Sequence, residues 1–142
     1  MAFNPKATVV GIYGISGCGK SYLLEQLQDE FGYEDFHFFD GSAALVKYGL
    51  VSSVEDFQAL HFDKQNRIRE MAIDGIRDVC TSNGKVGIVA GHYLISKTAN
   101  EFQSVWTAGD ARTYTHVIYM KVSPAVISLR RQNDKNKVNR TD

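Results

Sequence analysis

The run Gly14-Ile15-Ser16-Gly17-Cys18-Gly19-Lys20-Ser21 fits the pattern G-x-x-x-x-G-K-[ST] at every fixed position. Its flanks fit as well. Thr8-Val9-Val10-Gly11-Ile12-Tyr13 is a short apolar, β-branched run that reads as a buried strand. Tyr22 to Gln28 follows, with Leu23, Leu24 and Leu27 at helical spacing. A strand, a glycine loop and a helix in this order make a cradle for phosphate. Glycines at 14, 17 and 19 leave room for close approach of the backbone. The amides of residues 17 to 22 can then turn inward, backed by the positive end of the helix dipole. The pattern places Lys20 to reach the β and γ oxygens of ATP and the Ser21 hydroxyl to ligate Mg²⁺.

The bulk numbers exclude other classes. At 142 residues the chain is expected to be one domain with a core of its own. Sixteen basic residues balance sixteen acidic ones, which argues against a general nucleic-acid binder. No apolar run is long enough to span a bilayer, and Met1 to Thr8 lacks the apolar stretch of a secretory leader. The two cysteines, Cys18 and Cys80, make no disulfide framework, so a reduced, cytoplasmic setting is expected. Cys18 stands at a helix start beside Lys20, where its thiol could be activated; the competing reading is a small residue tolerated in the loop.

Further along, Phe36-His37-Phe38-Phe39 reads as a second buried strand that stops at Asp40-Gly41-Ser42. A carboxylate at the C-terminal end of such a strand sits on the ligand-binding edge of an open α/β sheet. Asp40 is therefore a candidate general base or magnesium-shell group, or else a cap on a short helix Ser42 to Tyr48. Ser52 and Glu55 have capping-box spacing ahead of a helical stretch to Cys80, broken near Asp63. Its apolar face runs through Val54, Phe57, Leu60, Ile68, Met71, Ala72, Gly75, Ile76, Val79 and Cys80. Among the charges that interrupt it, Arg69 is the candidate to reach a substrate phosphate or acid. Asn83-Gly84 closes the helix.

Val86 to Ala90 is a third strand, apolar throughout as a central parallel strand should be. Many phosphate-loop proteins carry a magnesium-shell acid at its end. Here Ala90, Gly91 and His92 stand there, which makes His92 a candidate substrate contact against a simple packed histidine. Ser96 to Tyr114 reads as a short helix and a loop anchored by Trp106. Thr115 to Val122 is a fourth strand, Ser123 caps the next helix with Pro124 in its first position, and Val126, Ile127 and Leu129 are expected to pack inward.

Alternating strands and helices predict an α/β fold with a parallel sheet of four or five strands. The order of parts resembles the nucleoside- and nucleotide-kinase-like branch of the phosphate-loop fold. The phosphate loop and Thr115-His116-Val117-Ile118-Tyr119-Met120-Lys121-Val122-Ser123-Pro124, running into Arg130-Arg131, carry the likeness. The resemblance implies a three-layer α/β/α domain over residues 1–142 with a lid at about 130–142 that begins at Arg130 and Arg131 and is joined by Lys135, Lys137 and Arg140. It implies transfer of a phosphoryl group from Mg-ATP to a small-molecule acceptor, with Lys20, Asp40, Arg130 and Arg131 catalytic. A basic helix end favoured by the dipole explains the same arginines. More narrowly, Gly91-His92-Tyr93 and the fourth strand resemble a kinase-like domain of fungal multidomain proteins, which also carry a haloacid-dehalogenase-type phosphatase and a uracil phosphoribosyltransferase-like domain. Kinases of this branch add a fifth strand and a helix after the lid. The fourth strand here is therefore expected to be an open edge, covered by more of a longer chain or by a partner.

Two other classes compete. A nucleotide-binding module with little turnover would explain the missing acid after the third strand. A GTPase switch is disfavoured, because Asp29-Glu30-Phe31-Gly32 falls at a helix end and Asn136-Lys137-Val138-Asn139 lacks the aspartate that reads guanine.

Overall fold

In the computed structural model the described residues are 6–14, 18–91, 94–98, 101–129 and 132–133. Ile15, Ser16, Gly17, His92, Arg130 and Arg131, all singled out above, lie outside them, as does the stretch 134–142. The elements are β1 (Val9–Tyr13), α1 (Lys20–Phe31), β2 (Phe36–Asp40), α2 (Gly41–Tyr48), α3 (Val54–Gln58), α4 (Phe62–Asn83), β3 (Val86–Gly91), β4 (Leu94–Thr98), β5 (Glu101–Ser104), α5 (Ala108–Thr113) and β6 (His116–Tyr119).

Four strands form a parallel sheet in the order β2-β3-β1-β6. Side chains alternate across it, and this alternation builds two cores. Val9, Phe39 and Val89 face Ala72, Ile73, Ile76 and Cys80 of α4. Ile12, Ile88 and Ala90 face Leu24 of α1, with Leu23 and Leu27 beside it. Helices thus cover both faces of β1 and β3, giving the expected three layers. Ile12 and Ile76 are almost wholly buried, and each such side chain contributes about 1.5–3 kcal/mol.

The register sets the site. Asp40 pairs with Ala90, and Tyr13 pairs with both Gly91 and Tyr119. The C-terminal ends of all four strands therefore lie in one row. The chain leaves β1 toward β2 on one side, and β3 is followed by β6 on the other. This switch point is where an open α/β sheet parts to form a crevice.

Several local expectations are corrected. The helical stretch after Ser52 is two helices, α3 and α4, with the break at residues 59–61. The cap is Ser53, not Ser52: Ser53 Oγ accepts from Asp56 N at 3.0 Å. Ser53→Ala should therefore cost about 1 kcal/mol in urea unfolding, and Ser52→Ala almost nothing. The stretch Ser96 to Tyr114 does hold a short helix, α5, but its first part is strand: β4 and β5 pair antiparallel, with an irregularity between Ser96 and Thr98. The helix at 124–129 starts as expected, with Ser123 Oγ accepting from Val126 N. Only Ile127 of its apolar trio is buried; Val126 and Leu129 are exposed. The reason is the position of β6. It is the sheet edge, and Val117, Ile118 and Tyr119 are each at least 50% exposed.

Candidate active site

The row of strand ends opens into a cavity of about 190 Å³. Its mouth is the phosphate loop, represented by Lys20 and Ser21. Gly19 makes the turn into α1 with φ 101°, a left-handed angle that side-chain-bearing residues resist. Having no side chain, Gly19 leaves the first N–H groups of the helix uncapped and open to an anion. The Lys20 ammonium donates to the Gly14 carbonyl, which holds its head at the loop. Burial lowers its pKa, so a neighbouring anion would stabilise the charge. Cys18 is completely buried, and a side chain at Gly14 would meet its sulfur at 2.4 Å. This favours the reading of Cys18 as a small packing residue beneath the loop. Tyr22 is 68% exposed on the first turn of α1.

Of the two readings offered for Asp40, the structure shows the helix cap. Its Oδ1 accepts from Ser42 N at 2.9 Å and Ala43 N at 3.2 Å, capping α2. It also lines the cavity, and its second oxygen takes no hydrogen bond from a described residue. The cap fixes the direction of the carboxylate without using it up. Asp40 and Ser21 line the cavity together with Lys20 and carry oxygen atoms that can ligate a cation. Among the described residues no three His, Cys, Asp or Glu cluster as a metal cage. Mg²⁺ needs no such cage, because it is bound by one or two protein oxygens together with substrate phosphates and waters. The residues present fit that ion.

Behind the mouth the walls are apolar, with Leu45 from α2, Ala72, Ile73 and Ile76 from α4, and Val89 from β3. Arg69, on α4, lines the same cavity. Its guanidinium donates to Asn66 Oδ1 at 3.2 Å and lies 5.0 Å from the Phe57 ring centre. Burial lowers its pKa, and the charge of Asp110 acts the other way.

Asp110 is the site residue that sequence reasoning missed. It sits in α5 and lines the same cavity. Its Oδ2 accepts from Thr107 N at 2.7 Å and Thr107 Oγ1 at 2.8 Å, a reciprocal capping box. Its Oδ1 accepts from the Tyr13 hydroxyl at 3.3 Å. Burial raises the carboxyl pKa, and the Thr107 and Tyr13 hydrogen bonds oppose that rise. Tyr13 is pushed up strongly, first by burial and then by Tyr114 and Asp110, so it stays protonated and keeps its donor. Tyr13, Trp106 and Tyr114 form a ring cluster with centroids 5.6–6.0 Å apart, which ties the end of β1 to α5. The Thr107-x-x-Asp110 spacing was a legible cap signal. Nothing local says that α5 folds onto the end of β1.

The model of the AAA domain family matches residues 13–142. No curated protein matches. Among 39 matching chains of solved structures is one titled "Crystal structure of APE1195", at a TM-score of 0.54 and 19% identity. The match covers 93% of this chain and 70% of that one. At that identity the likeness speaks for the fold alone.

Proposed function

The chain belongs to the AAA domain family, and from that membership and the shape of the site we propose that it is an ATP-binding small-molecule kinase. It would transfer the γ-phosphoryl group of Mg-ATP to a nucleoside, nucleotide or similar small metabolite. One observation carries this reading. A single cavity joins the phosphate-loop groups Lys20 and Ser21 to an apolar chamber that holds Asp40 and Arg69. A nucleotidase or a switch needs room for phosphates and water, whereas a transferase also needs a chamber for a second molecule.

The chemistry is positioning and charge neutralisation. Lys20 and the N-terminus of α1 would hold the β and γ oxygens. The Ser21 hydroxyl would help hold Mg²⁺, which when bound supplies positive charge that offsets the phosphates. Asp40 would orient the acceptor hydroxyl and receive its proton, while Arg69 anchors the acceptor from α4. His92 as a substrate contact and Arg130 and Arg131 as lid groups belong to the proposal on the strength of the resemblance; they lie outside the described residues. So does the assignment of the chain to a multidomain protein whose further parts would cover β6. No helix of the described residues is long and apolar enough to cross a membrane.

A second reading has its own support. The end of β3 is Ala90-Gly91, with no carboxylate, and β6 is bare. Both suit a nucleotide-binding regulatory domain with little turnover. Incubation with Mg-ATP and a panel of nucleosides, nucleotides and sugar acids separates the two. Mass spectrometry should find one acceptor gaining a phosphoryl group. ATP bound without product across the panel would favour the regulatory domain.

A further inference from the structure

Tyr13 is the last residue of β1, and the phosphate loop begins at the next position. Its main chain is held on the sheet, where its carbonyl accepts from Met120 N at 2.7 Å. Its ring packs against those of Trp106 and Tyr114, and its hydroxyl donates to Asp110 Oδ1 at 3.3 Å. Tyr13 is only 3% exposed, so water cannot replace that acceptor if it is lost. Asp110 is itself fixed, because Thr107 donates to its other oxygen through N and Oγ1. α5 is in turn pinned to α4. The two helices approach so closely at Gly109 that a side-chain carbon there would lie 2.7 Å from Ile73 Cγ2 and 3.0 Å from Glu70 Cγ. One turn on, Arg112 donates to Glu70 Oε1 at 3.0 Å and to Asp74 Oδ1 at 3.3 Å. This clasp is half-exposed, and none of its three residues lines the cavity. A continuous path therefore runs from the surface of α4 through Arg112, α5 and Asp110 to the residue from which the loop springs.

We propose that Tyr13, held by Asp110, is a positioning residue for the phosphate loop, and that Arg112 acts on nucleotide binding from the surface through this pair. The inference rests on ATP binding at the loop, which both readings of the function share, and on the identity of no acceptor. Gly14 follows Tyr13 directly, and its carbonyl accepts from the Lys20 ammonium. A shift of Tyr13 therefore moves the perch of the group that meets the phosphates. The hydroxyl is the joint in this path. Apolar ring contact has no preferred direction, whereas a hydrogen bond does. By linkage, whatever loosens α5 from α4 weakens nucleotide binding, and nucleotide at the loop tightens α5 to the same degree.

A double-mutant cycle tests this, read by calorimetric titration with Mg²⁺ and the non-hydrolysable ATP analogue AMP-PNP and with no acceptor present. Tyr13→Phe keeps the ring and removes only the hydroxyl. Arg112→Glu replaces the clasp with a third acid beside Glu70 and Asp74. Each alone should weaken AMP-PNP about fivefold or more. In the Tyr13→Phe background, Arg112→Glu should add less than about twofold, because the joint that carries its effect is already gone. Two separate structural contributions would add in full. Thermal melting shows whether each variant folds. If Arg112→Glu does not, Arg112→Gln takes its place in the cycle; if Tyr13→Phe does not, the Arg112 variant decides alone. Parental AMP-PNP affinity in a folded single variant, or full additivity in the double variant, overturns the inference and leaves ATP binding standing. Failure of the parent protein to bind AMP-PNP overturns ATP binding itself, and the inference with it.

Discussion

Lys20→Ala lowers phosphoryl transfer by about a thousandfold or more while leaving the fold intact. The side chain is partly buried and its head rests on the Gly14 carbonyl at the loop. What it supplies is charge, in a place where burial disfavours the charged form. Preorganised groups of this kind act on charge that develops as the phosphoryl group moves, and removing one costs about 10²–10³ in kcat. Lys20 carries a full charge on the transferring group, which places it at or beyond the upper end. A thousandfold loss is about 4 kcal/mol of transition-state stabilisation. It should appear mainly in kcat, with the melting temperature nearly unchanged. A variant that keeps even a tenth of the parental kcat would remove Lys20 from the mechanism.

Gly41→Val should destabilise the protein by about 3 kcal/mol and disable the site together. α2 leaves β2 at once, with no connecting loop. A side-chain carbon at Gly41 would lie 2.7 Å from the Ala90 carbonyl oxygen, which is main chain and cannot rotate away. Either β2 and β3 separate at their ends or α2 swings outward. Both displace Asp40, whose carboxylate is aimed by the first turn of α2. Urea denaturation measures the first effect and acceptor KM the second. A variant as stable as the parent would mean that the strand ends are not packed as described.

These two residues also show what can be read from one sequence. The phosphate loop, the apolar runs of β1, β2 and β3 and the stop at Asp40 are local signals: a fixed spacing, an apolar run, a turn. They placed Lys20, Ser21 and Asp40 on one edge before any coordinates. Arg69 was legible as a charge interrupting an apolar helix face. Ile73 was not assigned to that face, although it is buried. α4 is covered from two directions, by the sheet and by α5, where a side chain at Gly109 would meet Ile73 Cγ2 at 2.7 Å. A single 3.6-residue stripe does not report a second contact.

The hairpin and Asp110 were hidden for a related reason. β4 and β5 carry at most two apolar residues each, so neither shows the apolar run that marked β1 and β3, and pairing depends on the other strand. Asp110 acquires its role only because α5 meets the end of β1, 97 residues away in the chain. The exposed ring and aliphatic side chains of β6 were foreseen as an open edge. Val126 and Leu129 were expected inward because apolar residues usually point to a core, but beside an edge strand there is little sheet for them to cover.

The most direct measurement follows the γ-phosphoryl group itself. The protein, in excess over γ-labelled ATP with Mg²⁺ and a mixture of nucleosides, nucleotides and similar small metabolites, would be quenched after a single turnover and the label located. The account predicts label covalently attached to one of these acceptors, absent when Lys20→Ala replaces the parent. Label found only in inorganic phosphate, or still in bound ATP, would contradict it.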